Sequence, residues 1–380
     1  MPLGYAPGMP IRRRDSVAFT VIVTGLVLLG ALVMAVVIAL SGAPGSLALA
    51  AMLAALPVGP LVGCFMWLDR YEPEPRTLLV GGLLWGAFVA TAAALLFQGV
   101  GIAGGASNEQ SLSLLAPVTE EATKGAFLVL LLWWRRDELD GVLDGIVYAG
   151  MVGIGFAFTE NILYLAAAYN GTDGVGPGGT EALTSTFIVR CLLSPFAHPL
   201  FTTFIGIGVG IAVTSRSGAV RFLAPLGGYV LAVLTHSLWN SSTLGGPGNF
   251  FLVYGTMMLP ALLGLIAFAL YRRRSEKGMM AAALEDASRR GLLPATDIAW
   301  LVDLRARRRA RLFAKHVGGR PAERAMREYQ AAAIELAYLH HRYLRGTAPS
   351  DFAERGQEHV AALNAVRPFI SFPGQVVPTR

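Results

Sequence analysis

Charge is what this sequence has least of. Asp, Glu, Lys and Arg make up 15% of its 380 residues against 54% hydrophobic ones, and the mean hydropathy is +0.54. Soluble globular domains carry about a quarter charged residues, so that class is excluded and a membrane protein is implied. Cysteine is scarcer still. Cys64 and Cys191 are the only two and fall in different apolar runs, which gives no basis for a disulfide framework or a thiolate metal site. No internal repeat is visible, and no nucleic-acid-binding module is recognisable. Basic residues are missing from a patterned set of segments. Residues 41–45, 100–111, 167–185 and 243–248 hold no Lys or Arg, whereas Arg12 to Arg14, Arg70, Arg76, Arg135, Arg136, Arg216, Arg221 and Arg272 to Arg274 occupy the alternate connections. Short cytoplasmic loops keep Lys and Arg while translocated ones shed them, so the chain is expected in the cell membrane with both termini cytoplasmic.

What the sequence does have is a series of apolar runs, each about 20 residues or longer and so able to cross a bilayer. They lie near 17–40, 46–68, 77–99, 112–134, 141–166, 186–214, 220–242 and 249–271. The expected fold is all-α: a polytopic membrane helix bundle of about eight transmembrane helices over 17–271, after a short cytosolic N-terminus, 1–16. The first run follows three arginines as a signal peptide would, but its 24 residues are too many for an h-region, so a retained helix is expected. Residues 272–380 differ in kind, with 20 Lys and Arg against 11 Asp and Glu, where the first 271 residues carry 11 against 14. Amphipathic spacing over 298–304 and 331–344 predicts a basic cytosolic helical region. Its cluster Arg305, Arg307, Arg308, Arg309 and Arg311 is expected to meet anionic lipid, not nucleic acid. The Gly-rich stretch Gly171 to Gly179 reads as a flexible connector.

Six ionisable residues within the apolar runs carry the functional argument: Glu120, Glu121, Lys124, Glu160, His198 and His236. Each such group costs roughly 2.5–3.5 kcal/mol on insertion scales, which usually marks a pathway or a reaction centre. At 1.5 Å of rise per residue, the carboxylates and imidazoles all fall about 9–18 Å beneath the outer surface. Four helices thus present polar groups to one layer. Lys124 follows Glu120 by four residues and Glu121 by three, so an intrahelical pair neutralises one carboxylate. Neighbours on a helix diverge by about 100°, which leaves the second needing a partner, a proton or a job. Glu160 has no basic residue within one turn. His198 stands between Pro195 and Pro199, where freed carbonyls are tolerated mainly along a cavity. His236 and Asn240 share a helical face, so that Asn240 is placed to hold a histidine tautomer or donate to an oxyanion.

Together these stretches resemble the PrsW-type intramembrane proteases, relatives of the CAAX prenyl protease and bacteriocin self-immunity group. Glu120-Glu121-Ala-Thr-Lys124 is similar to the family's Glu-Glu-x-x-Lys, and Gly155-Phe-Ala-Phe-Thr-Glu160-Asn161 to its Phe-Ala-x-x-Glu-Asn. His198-Pro-Leu-Phe-Thr202 and His236-Ser-Leu-Trp-Asn240 are similar to its third and last motifs, and Asp69-Arg-Tyr-Glu-Pro-Glu-Pro75 also looks like family members. The resemblance covers about residues 50–272. It implies peptide-bond hydrolysis in a single-span membrane protein substrate near the outer side of the membrane. For the best-known relatives it implies a first cut in an anti-sigma factor.

Amide hydrolysis needs an activated water, a stabilised oxyanion and a proton for the leaving nitrogen. In one version Glu160, His198 and His236 hold zinc or a similar divalent ion, with Glu120 or Glu121 as base, Lys124 beside them and Asn240 on the oxyanion. In the other no metal is needed: a buried glutamate and a histidine activate water. The metal accounts more economically for three uncompensated N and O donors in one layer. A proton- or cation-coupled transporter would also use membrane-embedded carboxylates and broken helices, but no inverted repeat is visible. A non-catalytic receptor or immunity protein is the third reading.

Overall fold

The computed structural model describes residues 16–171 and 177–374, which form helices joined by short turns, with no strand among them. The N-terminal stretch with Arg12 to Arg14 and the middle of the Gly171 to Gly179 connector lie outside the described residues. Helices run in the order α1 (Val17–Leu40), α2 (Pro44–Leu68), α3 (Arg76–Ala103), α4 (Ala116–Trp134), α5 (Val142–Asn170), α6 (Gly179–Thr214), α7 (Gly218–Leu244) and α8 (Gly246–Arg289). Seven of these, all but α4, are long and apolar enough to cross a membrane. Eight spans were expected, and α4 falls out of the set because Glu120, Glu121 and Lys124 lie within its 19 residues. The fold is therefore the all-α polytopic bundle that the apolar runs predict.

Helix ends follow local chemistry. Ser16 Oγ accepts from the Phe19 amide at 3.2 Å to start α1, Pro44 occupies the first turn of α2, and Gly171, at φ 76°, ends α5 in the left-handed region. Two compact units result. Of the described residues, one comprises 16–69 together with Pro73–Leu270, and the other Arg70–Glu72 together with 271–374.

In the first unit α5 is buried along nearly all its length, with α6 and α3 against it. Lipid tails are as apolar as leucine, so such packing relies on close contact between small residues. A Cβ on Gly145 would sit 2.1 Å from the Gly206 carbonyl oxygen, and one on Gly153 would sit 2.6 Å from Pro199 Cα and 2.9 Å from the His198 carbonyl carbon. Gly153 thus sets how closely the chain bearing His198 approaches α5. Gly153→Val is expected to cost about 1–3 kcal/mol and to displace His198, read as a lower unfolding midpoint together with lost activity. An unchanged midpoint would show that the contact yields.

The stretch between α2 and α3 is a latch. Asp69 Oδ2 accepts from the Glu74 amide at 2.7 Å, and Glu74 Oε2 accepts from Tyr148 Oη at 2.6 Å. Burial, with the Asp144 carboxylate nearby, pushes Asp69 up to about 8. The Asp-Arg-Tyr-Glu-Pro-Glu-Pro segment therefore fastens a helix break onto α5.

The second unit has its own core, including Met280, Leu284, Leu301, Tyr329 and Phe372. Residues 304–318 and 320–344 are two helices that turn at Gly319, where φ is 68°. Gln330 Nε2 donates to the Arg307 carbonyl at 3.1 Å and Lys315 pairs with Glu323 at 3.9 Å, so the two helices fold back on each other. Arg307 is turned inward, donating to the carbonyls of Leu301 and Tyr71, the latter at 2.7 Å, and burial lowers it to about 10. Of the arginine cluster expected to meet lipid, Arg305, Arg308 and Arg309 are exposed, Arg311 is half-buried and Arg307 is buried.

Candidate active site

Helix α4 brings the two glutamates and the lysine. Lys124 Nζ lies 2.8 Å from Glu121 Oε1 and 3.4 Å from Glu120 Oε2, so one ammonium serves both carboxylates. Neither Lys124 nor Glu121 has any exposed surface. The ammonium also rests 3.9 Å from the centre of the Phe156 ring of α5 and 3.0 Å from His198 Nδ1 of α6. Glu121 is fully engaged: beyond Lys124 it receives His236 Nδ1 of α7 at 2.9 Å on Oε1 and Thr202 Oγ1 at 3.1 Å on Oε2. Glu120 holds Gln98 Nε2 of α3 at 3.2 Å on Oε1. Its Oε2 faces His236 Nε2 at 3.8 Å and His198 Nδ1 at 4.0 Å.

A break in α6 delivers His198. The helix widens into a π turn over Ile188–Leu193, stops at Ser194, and resumes at Ala197. Freed carbonyls find side chains, as an apolar setting requires: Ser194 Oγ donates to Val189 O at 2.7 Å and Tyr254 Oη to Leu193 O at 2.9 Å. His198 then packs against Phe156 and His236, ring centres 5.0 and 5.2 Å apart, while Phe201 stacks on His236 at 4.8 Å. Its Nε2 lies 2.8 Å from Glu160 Oε2.

Each imidazole therefore has one nitrogen tied to a carboxylate and the other turned inward. Glu160 takes Nε2 of His198, leaving Nδ1, and Glu121 takes Nδ1 of His236, leaving Nε2. One nitrogen of each ring and one oxygen of Glu120 lie within 4.8 Å of one another, and the inward nitrogens of His236 and His198 stand 3.8 and 4.0 Å from Glu120 Oε2. A carboxylate behind a histidine is how proteins fix the tautomer of a metal-binding imidazole.

All six ionisable residues singled out from the sequence meet in this one network. The carboxylate that faces both imidazoles is Glu120, and Glu160 sits behind His198. Asn240 stands elsewhere: its Nδ2 donates to the Leu112 carbonyl at 3.0 Å, in the π turn Ser111–Leu115 that leads into α4.

Sequence reasoning passed over Arg190, Gln98 and Thr202. Arg190 lies in the same run as His198 and donates through Nη2 to Glu160 and through Nε to Asn161 Oδ1, the latter at 2.7 Å. It is an ionisable residue near the start of an apolar run, so the depth argument that gathered the others applies to it. Thr202 ends a stretch already singled out, whereas Gln98 carried no signal beyond its polarity.

A sequence profile described as PrsW family intramembrane metalloprotease matches residues 74–265, just over half of the chain. The chain belongs to this family. Among curated relatives, Protease PrsW of Geobacillus kaustophilus is 35% identical over 154 residues, covering 40% of this chain and 61% of that protein. Protease PrsW of Oceanobacillus iheyensis is 29% identical over 150 residues with the same coverage. Protease PrsW of Bacillus subtilis is 27% identical over 227 residues, 58% of this chain and 91% of the relative. The chain thus spans about 61% of the length of the first two relatives. No solved structure matches. The PrsW profile takes in every member of the network, from Gln98 to His236, and stops short of the second compact unit.

Proposed function

We propose that this PrsW-family chain is an intramembrane endopeptidase that hydrolyses a peptide bond of a single-span membrane protein in the outer half of the bilayer, an anti-sigma factor being the substrate class that the motif resemblance implies. The observation that carries this is the convergence of Glu120 Oε2, His198 Nδ1 and His236 Nε2, each imidazole oriented from behind by a second carboxylate.

Two imidazoles and one carboxylate form a common donor set for hydrolytic zinc, with a fourth position left for water or substrate. Ligands of a tetrahedral ion at about 2.0–2.1 Å stand roughly 3.3–3.5 Å apart, so the separations of 3.8 and 4.0 Å from Glu120 need little closing. Lys124 Nζ, 3.0 Å from His198 Nδ1, would turn fully onto Glu121 to make room. The residues fit the group. A zinc-like ion held by Glu120, His198 and His236 would polarise the scissile carbonyl and acidify a water. The chain's own residues do the rest. Glu121 fixes the His236 tautomer and anchors Lys124, whose ammonium adds positive charge beside the developing oxyanion. Glu160 Oε1 accepts no hydrogen bond among the described residues, and Glu160 is 15% exposed, so it is the carboxylate left to take a proton from water. These roles exchange Glu120 and Glu160 relative to the sequence expectation.

The position of Lys124 supports a second version, in which its ammonium, not a metal ion, is the cation beside Glu120, and Glu120 activates a water between the two imidazoles. Cleavage of a single-span substrate by the full chain in liposomes separates the readings. Loss of cleavage on chelation, restored by zinc, is the expected outcome. Cleavage indifferent to chelators would favour the metal-free version. An inert protein that carries pH-driven flux would make it a transporter.

A further inference from the structure

Arg190 is a charged side chain that a membrane helix retains at a cost, and its surroundings are built around it. One face of α5 supplies three contacts: the Glu160 carboxylate accepts from Nη2, the Asn161 amide oxygen accepts from Nε at 2.7 Å, and the Tyr164 ring stacks under the guanidinium at 3.9 Å. Asn161 Nδ2 reaches Cys191 Sγ at 3.7 Å, which limits which way the amide turns. The π turn over Ile188–Leu193 carries Arg190, and such widened turns recur at functional sites. The same oxygen of Glu160 that meets Arg190 also meets His198 Nε2, at 2.8 Å.

We propose that Arg190 is a positioning residue: its guanidinium fork holds the Glu160 carboxylate in the one orientation that fixes the His198 tautomer and turns Nδ1 toward Glu120. This deepens the peptidase reading and rests on it. A fork is needed because two bonds at fixed angles and a stacked plane must be met at once, and a lysine ammonium offers neither the plane nor the second bond in register. A pair kept only for stability would be a poor use of two membrane-embedded charges. Replacing both partners of a buried pair by neutral groups is often neutral or stabilising.

The test uses the purified full chain in detergent and in liposomes. Arg190→Gln is expected to lower kcat about 10–100-fold with KM little changed, and to weaken cobalt(II) binding, followed by its visible spectrum, by a similar factor. Arg190→Lys is expected to recover only a minor part of either. Millimolar guanidinium added to Arg190→Gly is expected to restore cleavage where methylammonium does not. Because Arg190 acts through Glu160, the double variant Arg190→Gln/Glu160→Gln is expected to be no worse than Glu160→Gln alone. Arg190→Gln within twofold of wild type in both cleavage and cobalt binding, full recovery in Arg190→Lys, or multiplied defects in the double variant would each overturn the proposal. Where Arg190→Gln fails to fold, Arg190→Lys and the rescue decide. Failure of the peptidase reading looks different: the wild type itself then neither cleaves nor binds cobalt. A wild type that cleaves without binding metal leaves the kinetic and rescue outcomes to judge Arg190.

Discussion

Glu120→Gln is expected to leave a folded protein that has lost peptide-bond cleavage by about a thousandfold or more. The substitution keeps the shape of the side chain and an oxygen for Gln98 Nε2, now 3.2 Å from Oε1. What goes is the charge and the second oxygen, the one facing His236 Nε2 and His198 Nδ1. Both readings of the chemistry pass through that oxygen, as ligand in one and as base in the other. Glu121→Gln is expected to cost less. Its remaining oxygen can still accept from Lys124 and His236, and the new amide can donate to Thr202 Oγ1, which now stands 3.1 Å from Oε2. Measured kcat/KM values for the two variants, with matching circular dichroism, check the order. A greater loss at Glu121 would give it the central role.

Depth was legible in the sequence, and direction around each helix was not. Hydropathy marks where a chain enters and leaves an apolar slab, so the membrane helices and the shared level of Glu120, Glu121, Glu160, His198 and His236 could be read from spacing. Which carboxylate faces which imidazole depends on helix rotation and neighbour order. These are fixed by contacts such as Gly145 against Gly206 and Gly153 against Pro199, which leave no periodic signature. The π turns add a second obstacle, because each shifts the phase of every residue that follows. Asn240 illustrates it. Sharing a face with His236 predicts a common task, yet the π turn at Ser111–Leu115 leaves the Leu112 carbonyl to Asn240 instead. Glu160 shows the limit differently. With no basic residue within one turn of its own helix it needs a proton, a partner on another helix or a metal, and spacing does not choose among them; in the structure Arg190 of α6 meets it across the interface.

Removing the one cation between the two buried glutamates is expected to damage the fold more than removing either glutamate. Lys124→Met preserves length and apolar contact with Phe156 but leaves Glu120 and Glu121 facing each other without an ammonium, where the pairs now measure 3.4 and 2.8 Å. Breaking a buried pair from one side costs about 3–5 kcal/mol, because the surviving charge must stay desolvated or take up a proton. Here two charges survive. His236 and Thr202 still serve Glu121, so the larger share of the penalty falls on Glu120, whose other partner is the neutral amide of Gln98. Adding Glu120→Gln to Lys124→Met is therefore expected to recover more stability than adding Glu121→Gln, although neither double variant regains activity. Unfolding in mixed micelles, compared across the wild type, the single variant and the two double variants, measures each term. If Lys124→Met unfolds at the wild-type midpoint, the ammonium does not hold these carboxylates, and the cation of this site must come from solution.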